Sequence, residues 1–112
     1  MFIGPLLLKG LVASTGWEPR GGDKGVFGVE LLAKSSTATL DVAIEHKNEA
    51  DPDSAATTLA SFTQMTTTGV GTKDATGGAK QLVRLKLTVD SSQETPDDWV
   101  IVDVLATSWR KN

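Results

Sequence analysis

The chain reads as an all-β protein, and three observations predict a two-sheet antiparallel sandwich of jelly-roll or Ig-like type with about six to eight strands. Several stretches alternate apolar and polar residues with a period of two, which is the pattern of a half-buried strand. Clusters of Gly, Pro, Ser, Asn and Asp separate those stretches at strand-like intervals. No segment carries a helical period over three turns, and no internal repeat suggests a solenoid or propeller.

The stretch around which the rest is organised is ATLDVAIEHK at 38–47. Leu40, Val42 and Ile44 share one face, and Thr39, Asp41, Glu45 and Lys47 share the other, with Ala43 breaking the polar row. Residues 81–90, QLVRLKLTVD, set Val83, Leu85, Leu87 and Val89 against Arg84, Lys86, Thr88 and Asp90. In residues 26–35, Phe27, Val29, Leu31 and Ala33 form one row. The short turn 35–37 then suggests a hairpin between that strand and 38–47.

The two ends of the chain read differently. Residues 6–14 suggest a first strand that is apolar on both faces, with Leu6, Leu8 and Val12 opposite Leu7, Leu11 and Ala13. Pro5 cannot donate to a ladder, so residues 1–5 are expected at a strand edge or in an extended N-terminal arm. Residues 99–109 suggest a last strand, with Val100, Val102, Val104 and Ala106 on one face. Trp99, Ile101, Leu105 and Trp109 occupy the other, interrupted by Asp103. Such two-faced strands need cover on both sides.

The intervening segments read as turns and loops. Residues 15–25 form a glycine-rich loop whose order does not fit a phosphate-binding GxxxxGK[ST] motif. Residues 54–60 suggest one helical turn capped by Asp53 or Ser54. Phe62 is the expected core residue of the threonine-rich stretch 59–68, and residues 69–79 suggest a flexible surface connection.

Composition narrows the function classes. The 112 residues suit one domain spanning 1–112. A net charge of -3 lacks the basic footprint of a nucleic-acid binder, so no direct nucleic-acid contact is expected. The absence of cysteine excludes disulfides and thiolate zinc sites. No charge precedes the apolar N-terminal run, Gly4 and Pro5 interrupt it, and Lys9 sits inside it. Neither a signal peptide nor a membrane-spanning helix is expected.

Each candidate for chemistry has a plainer structural reading. His46 is the only histidine, and no nucleophile motif accompanies it. Glu49, Asp51 and Asp53, then Glu94, Asp97 and Asp98, could supply oxygen ligands to calcium, but their spacing does not fit an EF-hand, and solvated loops are the simpler account. Trp17 and Trp99 could stack on sugar rings if they were exposed and coplanar; otherwise they serve core or interface. No cofactor is expected.

The segment HKNEADPDSAATTLASFTQMTTTGVGTKDATGGAKQLVRLKLTV, followed by DDWVIVDVLATSWR, carries a resemblance. It resembles small β-sandwich proteins encoded in the structural gene clusters of tailed bacteriophages, through strand patterns at 40–46, 62–70, 82–89 and 99–109. The resemblance implies a capsid decoration (cement) protein or another minor virion component. It implies no catalytic residue, a homo-oligomer with a trimer favoured, contact with the major capsid protein and a place on the surface of the phage head. No membrane contact is implied. The apolar residues in excess of one core then become interface candidates: Phe2, Ile3, Leu6, Leu7, Leu8, Trp99, Ile101, Leu105 and Trp109. The arm 1–8 would dock on a neighbour by strand addition. A carbohydrate-binding sandwich using Trp17 and Trp99, and a small hydrolase using His46, are the competing classes.

Overall fold

The structure is a computed structural model, and it describes residues 5–9, 12–22, 24–76, 78–91 and 98–110. The first sheet holds β1 (Pro5–Lys9), β4 (Lys24–Lys34), β7 (Gly69–Ala75), β9 (Trp99–Val104) and β10 (Ser108–Arg110). The second holds β2 (Val12–Ser14), β3 (Glu18–Pro19), β5 (Ala38–Lys47), β6 (Thr57–Ser61) and β8 (Leu82–Ser91). All of these pairings are antiparallel.

Two strands are interrupted rather than ended. β9 and β10 follow one another along one edge of β4, where Val104 faces Val29 and Ser108 faces Val26. Between them the Leu105 N–H donates to the Gly28 carbonyl at 3.0 Å. β2 and β3 follow one another along β8 in the same way. There the Thr15 N–H donates to the Leu85 carbonyl, and the Thr15 hydroxyl accepts the Leu85 N–H, both at 2.9 Å. The side chain thus fills a break in the ladder that would leave a buried N–H unpaired. Joining each interrupted pair gives the orders β1–β9/β10–β4–β7 and β2/β3–β8–β5–β6. The chain changes sheet at each step except β5 to β6, and this is the jelly-roll form of the sandwich.

Alternation explains the core. Phe27, Val29 and Leu31, with Val100, Val102 and Val104, turn inward from the first sheet. Leu40, Val42 and Ile44, with Val83, Leu85, Leu87 and Val89, meet them from the second. Each of these side chains contributes about 1.5–3 kcal/mol by leaving water. Phe62 is buried with them, as its place in a polar stretch suggests.

The structure departs from the sequence reading where two sheets compete for one strand. Residues 6–14 are not one strand: β1 joins the first sheet and β2 the second. β4 and β5 do not form a hairpin. They lie in opposite sheets, because their apolar rows cover each other face to face. Asp98 secures that corner, accepting from the Ser35 hydroxyl at 2.9 Å and the Thr37 hydroxyl at 2.7 Å. The helical turn is a short 3-10 segment, Asp53–Ala55, with Pro52 at its N-cap position, and β6 takes up the residues after it. Gly69–Ala75 is a strand, not a loose connection, because β4 has a free edge that its backbone completes. Gly71 has no side chain, and a Cβ there would stand 3.0 Å from the Met65 sulfur.

The last stretch bends after Val104. That bend turns Trp109 toward the core, where its ring meets Phe27 edge-on at 5.4 Å. A Cβ on Gly21 would lie 2.5 Å from Trp109 Cδ1, so glycine makes the room for this indole.

Candidate interaction surface

The outer face of the first sheet is built by the residues that alternate with the core. On β9, Trp99, Ile101 and Asp103 point away from the interior, between the buried Val100, Val102 and Val104. β1 runs beside it, with Leu7 facing Ile101. Leu7 is 68% exposed although it is a leucine in the middle of a strand. Leu105 lies across Gly28, its Cδ1 3.2 Å from where a glycine Cβ would be. Val70, on the edge strand β7, is 61% exposed. Leu7 and Val70 are thus exposed apolar side chains on a face whose other apolar members, Trp99, Ile101 and Leu105, are half-buried.

Four of the interface candidates therefore share one face: Leu7, Trp99, Ile101 and Leu105. Leu6 and Leu8 face Val102 and Val100 and pack on the chain's own core, Leu8 buried and Leu6 partly so. Trp109 likewise serves the core. Phe2 and Ile3, and residues 1–4 of the expected arm, lie outside the described residues. The rest of that arm is β1, hydrogen-bonded to β9 of the same chain. Val70 escaped the sequence reading because its segment, GVGTKDA, carries no apolar–polar alternation.

This face also carries charge. Asp103 on β9 faces Glu30 on β4, and Glu30 faces Val70 on β7. Oδ1 of Asp103 is shielded from solvent and has no hydrogen-bond partner among the described residues.

The outer face of the second sheet is polar by contrast. Asp41, Glu45, Thr58, Ser61, Lys86 and Thr88 surround a shallow concavity of about 240 Å³ over Ala43. Its carboxylates are engaged: Gln64 Nε2 donates to Asp41 at 3.2 Å, and Arg84 Nε donates to Glu45 at 2.8 Å.

Beside it, Trp17 is the centre of a charged cluster. Its indole N–H donates to Asp53 Oδ1 at 3.0 Å. Arg84 Cζ lies 4.3 Å and Lys47 Nζ 5.0 Å from the ring centroid, both in cation–π range. Lys47 Nζ also pairs with Asp53 at 2.9 Å and donates to the Asp51 carbonyl at 2.8 Å. The Lys47 hydrogen bond, foremost among several causes, holds the Asp53 carboxyl below its ordinary pKa. The cluster binds the loop after β5 to the sheet. Trp17 belongs to the second sheet and Trp99 to the first, so the two indoles form no shared platform for a sugar.

His46 faces inward at the end of β5. Its Nδ1 accepts the Lys80 N–H at 3.2 Å, so the neutral ring carries its proton on Nε2. Burial, with Lys80 as a second cause, lowers its pKa. This is a histidine used as a backbone acceptor, and nothing in its hydrogen bonding orients it as a base. The loop carboxylates Asp51 and Asp53 are likewise spent on Asn48, Lys47 and Trp17. Among the described residues no group of three or more His, Asp or Glu could hold a metal ion. No described helix is long and apolar enough to cross a membrane.

Comparison of the chain with family models, with curated proteins and with solved structures finds no match to any of the three.

Proposed function

We propose that this chain is a non-enzymatic virion structural protein, of the capsid decoration or cement type. In this reading it contacts its own copies and the major capsid protein on the head surface. The observation that carries the reading is the outer face of the first sheet. Leu7, Ile101, Trp99 and Leu105 lie together there, with Leu7 two-thirds in water. A strand that costs solubility in this way is retained for contact with another protein. The other candidate groups support the same side: His46, Trp17, Asp51 and Asp53 are engaged within the chain. The phage-like strand pattern of residues 40–109 supplies the virion setting.

The test is cosedimentation of the full chain with the head fraction of its source, alongside Leu7→Ser. Wild type should be recovered with the heads, and Leu7→Ser at least tenfold less at equal concentration, with its β circular-dichroism spectrum unchanged. Equal recovery of both proteins, or recovery of neither, would overturn the reading.

A further inference from the structure

We infer that two copies of this chain meet edge to edge, the free side of β1 in one copy pairing antiparallel with β1 of the second, centred on Leu7. This deepens the assembly reading above and rests on it.

The edges of the two sheets are not alike. β7 carries two glycines, Lys73 and Asp74 along Gly69–Ala75. β6 meets β5 through a register shift between Ile44 and Glu45. β2 and β3 are short separate pieces, and the second ends on Pro19. Glycine gives a strand little to pack, and charge, bulges, brevity and proline keep an edge from pairing with another chain. β1 instead sets Leu6, Leu7 and Leu8 in a row, with Pro5 and Lys9 only at its ends. Its one partner among the described strands is β9. The backbone groups on its other side therefore offer a ladder that a further strand completes.

The sequence of β1 fits its own copy. In an antiparallel pair centred on Leu7, Leu6 of each copy faces Leu8 of the other, and Leu7 faces Leu7. Leu6 and Leu8 belong to the inward row, where Leu6 is only partly covered by its own chain, so the pairing joins the two cores. Leu7 belongs to the outward row and is mostly in water in the single chain. Its counterpart then supplies the cover that the chain lacks.

Charge supports the antiparallel sense. At one end of β1, Pro5 stands in the cross-strand row of Asp103 and Glu30, while position 9 at the other end is lysine. The two-fold sets position 9 of each copy opposite Pro5 of the second copy, at the acidic end of that copy's outer face. Parallel pairing would place like ends together. The same strand serves both copies, so the contact is isologous and closes at two. The first sheets then run on as one, and the outer faces bearing Trp99, Ile101 and Leu105 lie on a single side, open to another protein.

Native mass spectrometry and sedimentation velocity of the full chain test this, and the wild type should be a dimer. Leu7→Lys sets two ammonium groups opposite one another and should weaken the dimer at least tenfold, with an unchanged β circular-dichroism spectrum. Leu7→Cys gives a chain that otherwise lacks cysteine one thiol at the two-fold axis. On mild oxidation with diamide it should form a covalent dimer at least tenfold faster than Val70→Cys, a comparably exposed position on the opposite edge. This comparison decides if Leu7→Lys does not fold. A dimer that survives Leu7→Lys, or equal cross-linking by the two cysteine variants, overturns the β1 pairing. A trimer as the only assembly overturns the two-fold contact. A wild type that stays monomeric overturns the self-contact, and the head-binding test of Leu7→Ser then stands by itself. A β1-linked dimer that is not recovered with heads upholds the edge contact and overturns the head-surface reading alone.

Discussion

Asp103 and Glu30 face one another across β9 and β4 on the outer face of the first sheet, the face that also carries Leu7 and Ile101. Nothing in the folding of the isolated chain requires this. The inward neighbours Val102 and Val104 secure β9 without help from Asp103, and Glu30 sits between the buried Val29 and Leu31. The pair is a local conflict held in place by a strong core, and conflicts of this kind collect at surfaces with another use.

Replacing Glu30 by Gln should relieve the repulsion between the two carboxylates. Removing one of two opposed like charges should stabilise the chain by roughly 0.5 kcal/mol, within the range of cross-strand pair energies. Urea unfolding of the dissociated chain would show a higher midpoint at unchanged slope. A lower midpoint would mean that the two carboxylates do not repel.

Trp17→Ala should release the loop after β5. The substitution removes the ring that Arg84 and Lys47 cover, and leaves Asp53 without the indole donor. Cation–π contacts at partly exposed sites are worth about 0.5–1 kcal/mol each, so a loss of about 1–2 kcal/mol is expected. Hydrogen exchange should quicken in residues 48–56 and stay slow in the core strands β5 and β8. Uniform quickening throughout the sheet would show that Trp17 supports the whole fold and not this loop alone.

These features were unequally legible in the sequence. The rows Leu40–Val42–Ile44 and Val83–Leu85–Leu87–Val89 declare themselves, because period two and a buried face coincide. Leu7, Ile101 and Trp99 were also readable, as the apolar residues left over when the opposite face of a strand is already apolar. What alternation does not carry is which sheet a strand joins. The turn 35–37 is short enough for a hairpin, yet it turns a corner between sheets, and only the packing of β4 over β5 decides that. The strand Gly69–Ala75 was hidden for a related reason: GVGTKDA sets only Val70 and Ala75 among glycines and polar residues, which gives no alternation, and the free edge of β4 recruits the segment. Trp109 was placed on the wrong side because nothing in the sequence marks the bend at 105–107. The facing of Asp103 and Glu30 depends on register between strands about 70 residues apart in sequence, where a slip of one residue would turn either side chain to the other face.

His46 gives the chain a pH dependence of definite sign. Burial foremost, and Lys80 second, lower its folded pKa below 6.5. Protonation would also remove the Nδ1 acceptor that holds the Lys80 N–H. A depressed folded pKa means that the unfolded chain takes up the proton first. The stability linked to His46 is therefore complete above about pH 6.5 and is lost as pH falls from there through the lower folded value. Asp53 acts in a separate window: its depressed carboxyl contributes stability that is lost only as pH falls below 3.8 and through its folded value. Urea midpoints measured between about pH 7.5 and 5 thus report the histidine with little contribution from Asp53. Wild type should lose stability toward the acid end of that range, and His46→Gln should show a flatter profile. Equal slopes in the two proteins would mean that His46 titrates alike in the folded and unfolded chains, against the burial seen at the end of β5.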